Sequence, residues 1–193
     1  IGGDESFGAG GWMGSPVEAV MPVSFDVQSK RQIPKGALVL TMHACEIPQG
    51  NYWGERIAVA SIKTLSSRDY IGVLSYQWIS AKEKFWVVPL QVVGDKTRII
   101  QQVLKMQMGD MPSLEEVMID GIDELARRTD AQARHMIVIS DFDPQGPTPE
   151  LIAKAKRNGI SISTVAIGYG AHMIDEAKAK WIADETKGKF YST

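Results

Sequence analysis

Two short polar stretches carry the side chains that could do chemistry, His43-Ala44-Cys45-Glu46 and Asp141-Phe142-Asp143, and each follows a run of apolar residues. An imidazole, a thiol and carboxylates in one place suit zinc or another borderline transition metal better than magnesium. The spacing His43-x-Cys45 is a weak signal by itself, because a zinc site needs three or four ligands from more than one segment. The same residues could form a hydrolase triad, with Cys45 as nucleophile, His43 as base and Asp141 as orienter. Against it, two residues so close in one loop seldom face each other in line, and no oxyanion hole can be read from the sequence. The preferred reading is structural: His43 hydrogen-bonds Asp141 or a backbone carbonyl, and Cys45 is a small buried filler. No catalytic residue is assigned.

Those stretches need elements to position them. From Gly36 onward, apolar runs of strand length alternate with amphipathic segments of helix length. The predicted strands are 37–43, 70–76, 134–141, 160–167 and a short 190–192, with a further strand-like run over 84–93. Ala37-Leu-Val-Leu-Thr-Met-His43 is apolar without alternation, as expected of a strand covered on both faces. The predicted helices are 53–65, 97–106, 113–127, 149–158 and 174–186. In the third, Leu114, Val117, Met118, Gly121, Ile122 and Leu125 recur at spacings of three and four and make one apolar stripe. Ser113 with Glu116 fits a capping box, Thr148 before Pro149 is a start signal and Asn158-Gly159 a stop. Glu115, Glu116 and Asp120 read as a solvated helix face.

Strand and helix alternating in this way imply an α/β fold of parallel strands joined by right-handed crossovers, with helices on both faces of the sheet and 84–93 as one antiparallel edge strand. Ligands of such sheets gather at the carboxyl ends of the strands, which puts both polar stretches on one rim. Tyr52 and Trp53, beside the first stretch at the start of a helix, are the aromatics best placed for contact with a partner. Trp86 reads as a core filler, and His135 and His172 as structural or solvent-facing.

The chain has 193 residues, 44% of them hydrophobic and 23% charged, enough for one globular domain with a sizeable core. Its 21 basic and 23 acidic residues leave a net charge of −2 with no basic run, so neither nucleic acid nor a polybasic membrane contact is expected. A single cysteine cannot form an internal disulfide. No stretch approaches the roughly 20 apolar residues of a membrane span, and no signal peptide is seen. Residues 1–34 are rich in glycine and proline and form a lead-in segment ahead of a domain over 35–193. The run Gly8-Ala-Gly10-Gly11-Trp-Met-Gly14 is a poor dinucleotide fingerprint, because its third glycine is one residue late, no strand precedes it and Pro16 interrupts the helix that should come after it. Without an initiator Met, the chain reads as a piece of something longer.

Several phrases together resemble the von Willebrand factor type A (vWA) domain of bacterial proteins: Asp69-Tyr-Ile-Gly-Val-Leu-Ser-Tyr76, His135-Met-Ile-Val-Ile-Ser-Asp141, Gly159-Ile-Ser-Ile-Ser-Thr-Val-Ala-Ile-Gly168 and Trp181-Ile-Ala-Asp-Glu-Thr-Lys-Gly-Lys-Phe-Tyr191. The lead-in, with Ile1-Gly-Gly-Asp-Glu-Ser-Phe-Gly-Ala-Gly-Gly-Trp12 and Ser15-Pro-Val-Glu-Ala-Val-Met-Pro-Val23, resembles the tail of a class I glutamine-amidotransferase-like domain. The resemblance implies a Rossmann-like sheet and a metal-ion-dependent adhesion site. There an Asp-x-Ser-x-Ser loop, a Thr from a second loop and an Asp from a third ligate a divalent cation. In this chain the first loop reads His43-Ala-Cys45-Glu-Ile47, the Thr position falls near Met111 or Pro112, and Asp141 alone is kept. One carboxylate is not a magnesium site. The adhesion site is therefore expected to be degenerate, with no cofactor, a divalent cation (Mg, Mn or Zn) being the alternative. Its partner-binding rim comprises His43, Cys45, Glu46, Asp110, Asp141, Tyr52 and Trp53. The resemblance implies a non-enzymatic protein-interaction module, soluble itself, within a larger and membrane-anchored bacterial parent; the alternative is a metal-dependent domain using His43, Cys45 and Asp141.

Overall fold

The computed structural model describes Pro16 and residues 34–43, 49–76, 84–107, 109–168 and 175–192. The lead-in expectations, apart from Pro16 and Pro34, and those for Cys45, Glu46 and His172 lie outside the described residues. Among the described residues six strands form one sheet: β1 (Gly36–Met42), β2 (Tyr70–Tyr76), β3 (Lys84–Val92), β4 (Ala133–Ser140), β5 (Ile160–Ala166) and β6 (Phe190–Ser192), in the order β3-β2-β1-β4-β5-β6. All neighbours are parallel except the β2–β3 edge pair. This is the mostly parallel α/β Rossmann-like sheet that the alternating pattern implies.

The helices are α1 (Gly50–Thr64), α2 (Lys96–Lys105), α3 (Leu114–Arg127), α4 (Pro149–Arg157) and α5 (Glu176–Glu185). They divide between the faces. Ala58 and Ile62 of α1 and Ile99 and Val103 of α2 pack with Leu38, Leu40 and Met42 of β1. The apolar stripe of α3, Leu151 and Ile152 of α4 and Ala179 and Ile182 of α5 pack on the other face, against Ala37, Val39 and Met136. Residues of β1 therefore point alternately into two cores, which is why its sequence shows no polar alternation. Gly121 lets α3 approach the sheet, because a Cβ there would run into Met136 and press on Val39 and Leu74.

Some boundaries differ from the sequence expectation. Helix α1 begins at Gly50, three residues before the expected start at 53, because Gln49 adopts a left-handed conformation and its carbonyl accepts the Trp53 amide. Helix α5 begins at Glu176 because Asp175 caps it, its side chain accepting from the Lys178 amide. The Ser113 hydroxyl accepts from the Glu115 amide. Glu115 is no bystander on a solvated face: its carboxylate accepts from both the amide and hydroxyl of Thr148 and ties α3 to the start of α4. Ser163 is buried and accepts the Lys189 amide.

Candidate functional site

Strand order reverses between β1 and β4, with α1 leaving to one face and α4 to the other. In a sheet of this kind the crevice at such a point, beyond the carboxyl ends of the strands, is where ligands bind. His43 and Asp141 are the first residues past those two ends. The His43 amide extends the ladder by donating to the Ile139 carbonyl at 3.0 Å, so the ring is placed by strand geometry. A second loop arrives from the β2 side: the Gly109 amide donates to the Tyr76 carbonyl at 2.7 Å, which sets Asp110 over the end of the sheet. The second and third loops are locked together, the Gln145 amide donating to the Pro112 carbonyl and the Leu114 amide to the Gln145 carbonyl.

The His43 ring is buried, with 2% of the residue exposed, yet both nitrogens are engaged. Nδ1 lies 3.0 Å from Ser140 Oγ and 3.2 Å from Asp141 Oδ1, and Nε2 lies 3.1 Å from Asp110 Oδ1. Asp141 is 4% exposed, whereas the Asp110 side chain is 44% exposed. Ser140 is a hub: its hydroxyl also accepts the Phe142 amide at 2.9 Å. Asp143 joins from the exposed side, and one ligating-type atom from each of His43, Asp141 and Asp143 lies within 4.8 Å of the others. Phe142, between the two acids, is buried in the core with φ at +64°. A bulky residue held there stores about 1–3 kcal/mol of strain, which the packing of its ring and its tied backbone must offset.

The electrostatics follow from this crowding. Burial pushes the His43 pKa down, but hydrogen bonds to Asp141 and Asp110 and the charges of Asp141 and Asp143 outweigh it and leave the pKa above 6.5. For Asp141, burial pushes upward and is overcome by the bond and charge of His43, so its carboxyl stays below the ordinary value. Asp143 takes the opposite course: burial, then its bond with Asp141 and that neighbour's charge, push it up to about 6. Two carboxylates beside one imidazole do not ionise equally: Asp141, bonded to the ring, ionises more readily, and Asp143, facing that neighbour's charge, holds its proton longer.

The donor set does not fit magnesium. Mg²⁺ takes a near-octahedral shell of oxygens, whereas here an imidazole lies within hydrogen-bond distance of two acids, Asp110 and Asp141. On the second loop, Met111 is buried in the core and Pro112 has no oxygen on its side chain. Imidazole and carboxylate are donors that zinc or manganese accept, and His43, Asp141 and Asp143 form such a group among the described residues.

Tyr52 and Trp53 stand in the first turn of α1, at 45% and 51% exposure, their rings edge to face with centroids 5.3 Å apart. The Arg56 guanidinium donates to the Tyr52 hydroxyl. Gly54 lies among Met42, Ile139 and Ile167 at the carboxyl ends of β1, β4 and β5, so this aromatic pair flanks the same rim. Trp86 is partly buried and packs against the core. Sequence reasoning placed Asp143 on the rim but gave it no role, and it missed Ser140; the i, i+2 acids after an apolar strand were the available signal for the first.

No protein-family model matches the chain, and no curated protein matches it. Solved structures do. The crystal structure of the conserved hypothetical protein BatB from Bacteroides thetaiotaomicron matches with a TM-score of 0.59 at 14% identity, over 83% of this chain and 90% of that one. The von Willebrand factor type A structure from Catenulispora acidiphila matches with a TM-score of 0.63 at 15% identity, over 83% of this chain and 39% of that one. Proximal thread matrix protein 1 from the mussel byssus, with a zinc-occupied MIDAS motif, matches with a TM-score of 0.62 at 12% identity, over 83% and 44%. This chain thus spans less than half the length of the last two. With its sheet order, its single antiparallel edge and these likenesses, the chain has the von Willebrand factor type A fold.

Proposed function

We propose that this domain is a non-enzymatic protein-interaction module whose adhesion-type rim works without a bound cation. The observation that carries this reading is His43, whose ring lies between Asp110 and Asp141, acids that favour its protonated form, in the crevice where the fold's metal-binding members hold an ion. An imidazolium with two N–H donors neutralises and orients the carboxylates as a cation would, but it has no open coordination position to offer a partner. Recognition then falls to what is exposed around it: Tyr52, Trp53, Asp110 and Asp143, with Cys45 and Glu46 next to His43 in the sequence. Aromatic side chains are the commonest anchors of protein interfaces. No helix among the described residues is long and apolar enough to cross a membrane, and the rim's acids make nucleic acid a poor partner. The lead-in resemblance extends the proposal to a parent in which this module comes after a glutamine-amidotransferase-like region.

A second reading, a transition-metal site, is favoured by the closeness of His43, Asp141 and Asp143. One experiment separates the two. Thermal unfolding in EDTA, Mg²⁺, Mn²⁺ and Zn²⁺ reads out binding to the native state, since an ion at 100 times its Kd adds about 2.7 kcal/mol. The interaction reading expects no shift with Mg²⁺ or EDTA, and loss of a captured partner in the folded Y52A/W53A variant. A zinc or manganese stabilisation abolished by His43→Ala or Asp141→Ala would establish the second reading instead.

A further inference from the structure

The loop that carries Asp141 and Asp143 is held by a residue from the far side of the sequence. Lys178 lies in the first turn of α5, where a positive charge opposes the helix dipole. Its side chain is only 20% exposed. Nζ donates to the Phe142 carbonyl at 2.7 Å and to the Pro144 carbonyl at 2.8 Å, and sits 3.4 Å from Asp175, the residue that caps α5. A lysine placed against its own helix's dipole and aimed at two loop carbonyls breaks a local rule for the sake of a tertiary contact. Those carbonyls flank Asp143 and begin at Phe142, the buried residue with positive φ. Gly146 makes room for the lysine stem: a Cβ there would lie 3.1 Å from Lys178 Cδ.

We propose that Lys178 is the positioning residue of the rim: reaching from α5, its ammonium holds the 142–144 backbone in the one arrangement that brings Asp141 and Asp143 together at His43. Without the two N–H···O=C bonds the Phe142 turn loses part of what offsets its strain, keeping only the packing of its ring and the bond of its amide to Ser140. The loop then relaxes toward negative φ, and the carboxylates on either side of it rotate away from the imidazole. Helix α5 thereby becomes a handle on the rim, because any contact that shifts its first turn withdraws the lysine. This role of Lys178 is the same whatever the rim binds.

The test is Lys178→Met in the full chain, which keeps the length of the stem and removes the donors. Amide hydrogen exchange and the imidazole nitrogen resonances of His43 and His135 are read at one fixed pH. The expected result is exchange at Phe142 and Asp143 accelerated at least about tenfold relative to Val138 and Ile139 in β4. The His43 resonances should move and those of His135 should not, and Lys178→Arg, which retains donors, should restore part of both changes. Uniform acceleration across the sheet, or unchanged loop amides and an unmoved His43, would overturn the proposal. If Lys178→Met fails to fold, Gly146→Ala displaces the stem without removing the charge. The same pattern at smaller amplitude is then expected, and a His43 signal that stays put in that variant refutes the role.

Discussion

Two histidines on adjacent strands of one sheet meet opposite fates. His43 lies at the carboxyl end of β1 and His135 near the start of β4, and burial pushes the pKa of both downward. At His135 the counterweight is a hydrogen bond with the Ser161 backbone, too weak to offset burial, and the pKa ends below 6.5; the Ser161 hydroxyl also lies 2.7 Å from Nδ1. At His43 two acids contact the ring, and the pKa ends above 6.5. The difference teaches that the carboxyl ends of parallel strands are where loops from separate strands can converge charges, while the opposite end of this sheet gives its histidine a neutral partner and an apolar cleft of about 460 Å³ shared with Leu38, Ala60 and Ile137.

Removing the ring should break the contrast most sharply. His43→Ala leaves the buried Asp141 carboxylate without its counter-charge and is expected to cost about 3 kcal/mol at neutral pH, whereas His135→Ala, at the edge of an open cleft, should cost about 1 kcal/mol. Urea unfolding of the two variants decides it, and equal losses would mean that the rim charges contribute nothing.

The pH dependence sharpens the same comparison. His43, with its pKa raised in the folded state, contributes stability fully below pH 6.5 and loses it as pH rises through the folded value. Asp143, pushed up to about 6, acts in the same direction, its contribution being lost as pH climbs from 3.8 through about 6. Asp141 runs the other way: its contribution is present above 3.8 and is lost as pH falls through its lowered pKa. His135 likewise contributes above 6.5 and loses this as pH falls through its lowered pKa. Stability should therefore peak in mild acid and decline toward alkaline pH. An NMR titration of the two imidazoles should give midpoints on opposite sides of 6.5. Asp141→Asn should bring the His43 midpoint down and leave His135 where it is.

Smaller effects test the periphery. Asp110→Asn removes a half-exposed acid, and because solvent screens that pair it should lower the His43 midpoint by less than Asp141→Asn does. Ser161→Ala, the least of these, should move only His135, and within about 0.5 kcal/mol of stability.

Much of the fold was legible beforehand because each element carries its own period. The strands over 70–76 and 190–192 have the residues expected of them, and α3 has its stripe, since burial on one face or two writes itself directly into local sequence. Helix starts were less legible: Gln49 and Asp175 set them through backbone conformation and a side-chain cap that composition only suggests. At the site, the sequence named His43, Asp110 and Asp141 through the resemblance, yet neither Ser140 as the hub nor Lys178 as the clamp has a local signature. Their partners are 97 and 36 residues away in the chain.

The sequence by itself determined that this is an α/β chain with polar stretches after apolar strands. Only the tertiary structure decided that an imidazole lies between the acids, that one carboxyl there is held down while its neighbour is pushed up, and that a helix from the end of the chain fixes the loop between them. The physical reason is that periodicity records which face of an element is buried, whereas charge, proton affinity and backbone strain depend on distances of about 3 Å between loops that the chain brings together only when the sheet forms.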